Sequence, residues 1–387
     1  MNQILTSPSL PALPAHGAPW HAWRDYGLAY ARLWSDRSPH DLTVRWSSTD
    51  PVPGVIAESA VTSARTMTMY SYLEQRPGPR WLALYNATWA SYRQWYNHEG
   101  ITARPSLAEC HVALRRHMPE LLPIWERLSE LTEGDPLAAR MLAMWRLPAF
   151  AVGCAQTVLP GKRPVLVRNY DYDQALFEGA IASTNYSGQR RVIGTSDMLW
   201  GLLDGMNEDG LAVSLTYGGR PGRGEGFGIP LVLRYLLETC GTVREAVAAL
   251  RRIPVALSYN VALADTHGDH ATVFVAPGEK AKVSRIKATT NHCLNTVEYP
   301  EKAARFNSLG RQEALLTLHR EGASADDTIA AMLTAPLRNH EFDAGFGTLY
   351  TASYDQVAGT ATWHWPGQSW SRSYDAPDAE RTVILTK

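Results

Sequence analysis

Gly153-Cys154 opens the run Gly-Cys-Ala-Gln-Thr-Val, and Gly161-Lys-Arg-Pro-Val-Leu-Val-Arg168-Asn-Tyr-Asp171-Tyr-Asp173 follows soon after. The stretch reads as a strand, a hairpin turn at Pro160-Gly161, and a returning strand that ends in charged residues. A hairpin brings its far ends together, so Arg168 and Asp171 return to the neighbourhood of Cys154. A cysteine reacts near neutral pH as its thiolate, which needs a base or a positive charge beside it. Arg168 supplies the charge. If the chain is cut between Gly153 and Cys154, the freed α-amine, with a reference pKa of about 7.7–8.0, supplies the base. Asp171 could then orient and hold that amine. Gly153 suits scission because a missing Cβ eases the strained conformation that attack on its carbonyl needs. The plainer reading is a small buried cysteine in a strand, with an ordinary surface Arg–Asp pair. On these residues alone the plainer reading is the better one.

Two further stretches shift the balance. Asn207-Glu-Asp-Gly210-Leu-Ala-Val-Ser-Leu-Thr216-Tyr217-Gly-Gly219 is a turn, a strand and a glycine-rich exit, where backbone amides are free to point at a ligand. Thr289-Thr-Asn291-His292 puts a side-chain amide just past a strand that ends near Ile286. A backbone N–H near Thr216–Tyr217 and the Asn291 amide would form an oxyanion hole, the donors that acyl transfer aims at a developing alkoxide.

Taken in order, Gly153-Cys154, Arg168-Asn-Tyr-Asp171, Asn207-Glu-Asp-Gly-Leu-Ala-Val-Ser, Thr290-Asn291-His292 and Asn307-Ser308-Leu-Gly-Arg311 resemble the N-terminal-nucleophile cysteine hydrolases. They look most like the isopenicillin N acyltransferase-like autoproteolytic acyltransferase/hydrolase family, with choloylglycine hydrolase, penicillin V acylase and acid ceramidase as cousins. The motifs span about residues 150–365. The resemblance implies a four-layer αββα sandwich, self-cleavage before Cys154, and the new amine as general base in place of His292. It implies support of the nucleophile by Arg168 and Asp171, and oxyanion donors at Asn291 and at a backbone amide of Thr216 or Tyr217. A further family arginine matches Arg305 or Arg311. The bile-acid and penicillin V branches begin at the cysteine, whereas about 150 residues precede it here, which favours the branch whose leader stays bound as a subunit.

The elements that must position these residues change in texture near Cys154. From about Val55 to Leu147 the signals are helical. Trp81–Tyr96 carries apolar residues at helical spacing, Ser106-Leu-Ala-Glu109 is a capping box, and Asp135-Pro136 is an N-cap before a first-turn proline. Trp81, Trp89, Trp95, Trp125 and Trp145 read as core packing. After residue 153 short strands appear at Pro164–Arg168, Leu211–Tyr217, Tyr259–Ala264, Ala271–Ala276 and Ala281–Ile286, then near Thr348–Tyr354 and Thr360–Trp365. Helices intervene at Ile229–Cys240, from the Thr242–Glu245 capping box to Ile253, and at Ser324–Leu333. The fold class is therefore α+β, with helices covering sheets.

Lys+Arg (37) and Asp+Glu (38) nearly cancel, which argues against a basic face for nucleic acid or a membrane surface. The cysteines Cys110, Cys154, Cys240 and Cys293 form no CxxC pair. The lead-in MNQILTSPSLPALPAHG lacks a basic n-region and reads as disordered. No run approaches the roughly 18 apolar residues of a membrane span, so a cytoplasmic protein is expected. Asp265-Thr-His267-Gly-Asp-His270 looks like metal ligands but falls where a hairpin turn is due, and no metal or organic cofactor is expected. The Gly218–Gly228 stretch lacks G-x-G-x-x-G and reads as a mobile rim loop, with Arg220 and Arg223 as candidate contacts for an anionic substrate.

The resulting expectation is a helical segment over 1–153, becoming an α subunit on self-cleavage, and an N-terminal-nucleophile domain over 154–387 as the β subunit. The chemistry is cleavage or transfer of the acyl group of a small amide or thioester through acyl-Cys154. Its partners are that small molecule and the cleaved N-terminal fragment. The rivals are an uncleaved, catalytically silent scaffold and a nucleotide-binding enzyme using the Gly218–Gly228 loop.

Overall fold

The computed structural model describes residues 64–150, 153–220, 222–293 and 299–386. The disordered lead-in expected at the N-terminus lies outside them. The segment expected to be helical from Val55 opens instead, within the described residues, on a strand, β1 (Arg65–Glu74). Met67 and Met69 are buried and Thr68 is exposed, a period of two that belongs to a strand. Helices follow as expected: α1 (Pro79–Tyr96), α2 (Leu107–His117), α3 (Leu122–Leu131) and α4 (Pro136–Leu142). Ser106 and Glu109 close a capping box on α2, and the Asp135 carboxylate caps α4. Trp81 and Trp125 are buried, while Trp89, Trp95 and Trp145 pack half-buried against the core.

The Pro160-Gly161 turn joins β2 (Gly153–Leu159) to β3 (Val165–Tyr172), with Cys154 opposite Tyr170 and Gln156 opposite Arg168. Next come β4 (Ala180–Thr184), β5 (Val192–Asp197), β6 (Gly201–Asn207) and β7 (Ala212–Tyr217). Two helices, α5 (Ile229–Thr239) and α6 (Val243–Arg252), precede β8 (Tyr259–Ala264), β9 (His270–Val275), β10 (Lys282–Ser284) and β11 (Ala288–Thr289). The chain closes with α7 (Pro300–Arg305), α8 (Ser308–Glu321), α9 (Ala325–Met332), β12 (Gly347–Asp355), β13 (Thr360–Trp365), β14 (Gln368–Arg372) and β15 (Ala379–Thr386).

Nine strands form one sheet in the order β10-β9-β8-β7-β6-β5-β4-β1-β15, and six form another, β11-β2-β3-β12-β13-β14. The sheets meet where β2 and β3 lie on β7 and β8. On the outer faces, α5 and α6 cover the larger sheet, and α8 and α9 cover the smaller one. This is the four-layer αββα sandwich. Alternation along β3 divides its side chains between the layers. Leu166 and Tyr170 join the core between the sheets, whereas Val165 and Val167 pack with Leu315 and Met332 of the helices. Trp363 and Trp365 are buried, their indole N–H groups donating to Thr195 Oγ1 and Leu349 O. They are core packing.

β1 lies parallel to β4 and antiparallel to β15, inside the larger sheet. The N-terminal segment thus supplies a strand to the sandwich as well as a helical layer. Trp81 Nε1 donates to Leu199 O, and Trp200 Nε1 donates to Leu142 O, fastening α1 and α4 to the β5–β6 connection. Among the described residues no helix is long and apolar enough to cross a membrane.

The expected mobile loop at Gly218–Gly228 is instead stitched down over much of its length. Gly224 N donates to Ala256 O, Phe227 N to Pro254 O, and Gly228 N to Met144 O. A Cβ on Gly226 would stand 2.2 Å from the Val255 carbonyl carbon, and one on Gly219, at φ 76°, would stand 2.4 Å from Asn291 O. These glycines serve close backbone packing, which leaves the phosphate cradle of a nucleotide enzyme no basis here. Asp265-Thr-His267-Gly-Asp-His270 forms the β8–β9 turn, with the Asp265 carboxylate accepting from Val243, His267 and Asp269 N–H groups.

Candidate active site

The Cys154 side chain is fully buried and points between the sheets, toward Arg168. Arg168 Nη2 donates to Cys154 Sγ at 3.2 Å, its Nε donates to Leu215 O at 2.9 Å, and its Nη1 donates to Tyr350 OH at 2.9 Å and to Asp204. Asp204 in turn accepts from Thr195, Tyr350 and Tyr354 hydroxyls. Burial pushes the Cys154 thiol up to about 11; Arg168 pulls it down and Asp171 pushes it further up. Burial alone would lower Arg168, but Cys154, Tyr350 and Asp204 hold its guanidinium well above the ordinary value. Cys154 is therefore a protonated thiol beside a permanent cation.

Cys154 N–H is held separately, donating to Asn291 Oδ1 at 3.0 Å, while Asn291 Nδ2 donates to Tyr217 O at 3.2 Å. Asn291 thus touches the backbone nitrogen of Cys154. Gly218 N–H donates to Ser258 O, which fixes the phase of the β7–β8 ladder so that Leu215 and Tyr217 turn their backbone groups away from β8. Registered pairing of β6 with β7 covers only Ala212–Ser214. Arg168 and Asn291 reach into the gap beyond it and use the Leu215 and Tyr217 carbonyls. The Tyr217 N–H points the same way. Thr216 faces the other layer, its hydroxyl donating to Thr290 O and accepting from Asn260 Nδ2.

Asp171 lies on the opposite face of the smaller sheet from the thiol, against α8. Its Oδ1 accepts from Thr348 OH at 2.6 Å, and its Oδ2 is ion-paired with Arg311 Nη2 at 2.6 Å. It is the ladder partner of Gly153, and a Cβ there would stand 3.0 Å from Asp171 Cβ and 3.3 Å from Oδ2. Gly153 is not in the left-handed region, so its lack of a side chain serves space beside the carboxylate.

The family described as Acyl-coenzyme A:6-aminopenicillanic acid acyl-transferase matches residues 158–370, more than half of the chain. The chain belongs to that family. The match begins just past Cys154, and takes in Arg168, Asp171 and Asn291. Among solved structures, a mutant of conjugated bile acid hydrolase from Clostridium perfringens is similar, at 15% identity over 59% of this chain and 96% of that one, with a TM-score of 0.38. Penicillin V acylase from Agrobacterium tumefaciens is similar at 16% identity over 60% and 91%, TM-score 0.40. The Caenorhabditis elegans N-acylethanolamine-hydrolyzing acid amidase ortholog gives 16% over 52% and 92%, TM-score 0.38. No curated protein matches by sequence.

In this acyl-transferase family member the two candidate arginines lie in different surroundings. Arg311 pairs with Asp171, whereas Arg305 is exposed, its guanidinium 4.8 Å from the Phe346 ring. The Asn307-Ser308-Leu-Gly-Arg311 motif has a local reason: Asn307 adopts φ 45°, and a Cβ on Gly310 would stand 2.4 Å from Asn307 Oδ1. Arg220 pairs with Glu279 and Arg223 with Glu99, both at 2.7 Å, so neither loop cation is held by the Cys154 cluster. His292 bonds Ser308 Oγ at 2.8 Å and Gln312 Oε1 at 3.0 Å, and burial lowers its pKa. It is built into the contact with α8. Asn207 of the Asn-Glu-Asp-Gly motif donates to Leu237 O and Cys240 O, anchoring the β6–β7 hairpin on α5. The residue of the Cys154 cluster that sequence reasoning missed is Asp204. Its signal was a lone acid in the apolar run Leu202-Leu203-Asp204-Gly205.

Proposed function

We propose that the chain is a cysteine amidohydrolase with acyltransferase capacity, activated by cutting its own Gly153–Cys154 bond. The observation that carries this is the separate hold on the two ends of one cysteine: Arg168 at Sγ and Asn291 at the backbone nitrogen. A merely structural cysteine needs an acceptor for its buried N–H but has no use for a cation at its sulfur. In the first step the thiol adds to the Gly153 carbonyl carbon, the C–N bond breaks, and the thiol proton ends on the departing nitrogen. Water then hydrolyses the Gly153 thioester, leaving a Gly153 carboxylate, a free thiol and a Cys154 α-amine. The amine gives the buried thiol a base, which its raised pKa demands.

In turnover the amine takes the thiol proton and sulfur attacks the substrate amide or thioester carbonyl. The developing oxyanion is met by the Tyr217 N–H and the Asn291 amide. The leaving group departs with the proton and water takes the acyl group from Cys154. Transfer to an amine requires a held acceptor with a large effective molarity. The Gly218–Gly228 stretch is stitched down and its arginines are paired, which supports hydrolysis as the main outcome. A denaturing mass spectrum tests the first step: scission divides 42.8 kDa in the proportion 153 to 234 residues, giving about 17 and 26 kDa. Cys154→Ala should remain whole. Two fragments from that variant would assign the cut to another protease and sink the reading.

A further inference from the structure

Two hydroxyls beside the nucleophile have no use in this chemistry. Tyr170 is the ladder partner of Cys154, and Tyr259 stands opposite Tyr217 on β8. Both are buried to 1% exposure or less, and among the described residues neither phenol oxygen has a hydrogen-bond partner. Leaving a buried hydroxyl unsatisfied is unfavourable, and a bound ligand that accepts from or donates to it removes that penalty.

The rings around them form a belt that leaves Cys154 and returns to it. Tyr170 contacts Tyr172 and Phe177, at 5.6 and 5.7 Å between centroids. Glu178, next along the chain, accepts from Tyr92 OH at 2.6 Å, and Tyr92 meets Trp95 edge-on at 6.3 Å. Trp95 meets Phe150, and Phe150 meets Tyr259, each at 6.3 Å. Tyr259 meets Tyr217, whose carbonyl accepts from the Asn291 amide that also holds Cys154 N–H. Tyr92, Trp95, Phe150, Tyr172 and Phe177 are half-buried, whereas Tyr170 and Tyr259 are deep, so the belt runs from the partly exposed rings inward. After burial itself, Asp197 is the largest influence raising Tyr170, and it raises Tyr259 too, so both hydroxyls sense one carboxylate.

We infer that Tyr170 and Tyr259 determine specificity for the acyl half of the substrate, gripping with their hydroxyls a neutral polar group carried on a flat, apolar body. The inference rests on the proposed role of Cys154 and extends it to a substrate class. Flat and apolar follows from the belt of rings. Polar follows from the unpartnered hydroxyls, and neutral from two neighbours: the Arg168 guanidinium 4.8 Å from the Tyr170 ring opposes a cation, and Glu178 and Asp197, both raised by burial, show that further negative charge is disfavoured on the same belt. The acyl half is the part that stays on Cys154 when the amine leaves, and Tyr170 is the ladder partner of that residue.

Cys154→Ala keeps the uncut form and removes the chemistry. Calorimetry on that chain should compare the anilide of 3-phenylpropanoic acid with its 3- and 4-hydroxyphenyl counterparts. At least one hydroxylated anilide should bind about tenfold tighter than the parent. Adding Tyr170→Phe or Tyr259→Phe should erase the difference and leave the affinity of the parent anilide unchanged. If the hydroxyls were only structural, those substitutions would raise thermal stability and leave binding alone. No binding of any anilide, no preference, or a preference that survives both substitutions overturns the inference. If the preference is found but the Cys154 chain forms no acyl-enzyme in a mass spectrum, the proposed function fails and the binding role of Tyr170 and Tyr259 stands.

Discussion

Arg168 does two things with one guanidinium. It lies against the thiol, and it is itself held by Asp204, Tyr350 and Leu215 O. Removing one partner of a buried ion pair leaves the other uncompensated, at roughly 3–5 kcal/mol. Asp204→Asn should therefore lower stability by about that amount in urea unfolding, and unchanged stability would mean that Arg168 is held without it. Asn291→Ala acts differently. It strands Cys154 N–H and removes the proposed oxyanion donor, so turnover of the mature enzyme should fall by roughly 10²–10³ with little effect on folding. Self-cleavage of the same variant, followed by mass, should slow as well. Full activity would take Asn291 out of the site. The nearness of Arg168 and Asn291 to Cys154 was legible in the sequence because a hairpin and a strand end fix where they go, whereas the turn of Asp171 to the other face of the sheet, onto Arg311, was not. Asp204 was not, since its meaning depends on a strand from the other sheet.

At the level of elements, the strands that sequence patterns find are the ones with β-branched runs, such as β8 and β9. Strands β4, β5 and β6 (AIAST, VIGTSD, GLLDGMN) carry Ala, Gly and Asp and have weak intrinsic preference. Their glycines look like turn signals but mark close approach: a Cβ on Gly194 would stand 2.2 Å from Asp204 O, and one on Gly205 2.7 Å from Ile193 O. The same misreading made the Gly218–Gly228 stretch look mobile. Gly226→Ala decides between the two meanings. A Cβ driven against the Val255 backbone should lower the melting temperature by several degrees, a loss of more than about 1 kcal/mol. A free loop would take the alanine without change.

Across the whole molecule, Glu178 and Asp197 share the Tyr92 hydroxyl. Burial, then Asp197, pushes Glu178 up to about 7, and burial raises Asp197. The folded state thus favours the protonated acid, a preference fully present below the ordinary carboxylate range and lost as pH rises toward 7. Glu178→Gln, a neutral copy of that acid, should gain stability relative to the parent as pH goes from about 4.5 to about 7 in thermal melts. A constant difference would show that Glu178 does not titrate there. The two fragments of self-cleavage should also stay together, because β1 is held between β4 and β15. That placement has a consequence for the order of the chain itself. Arg65 pairs with Thr386, so the first described strand begins where the last one ends. A gene that joins those ends, keeps residues 1–63 as the junction and opens at Cys154 would encode the same sandwich as one polypeptide. Once its initiator methionine is removed, that permuted chain begins with the nucleophile and its free amine. It should hydrolyse amides with no scission step at all, separating how the enzyme is born from how it works.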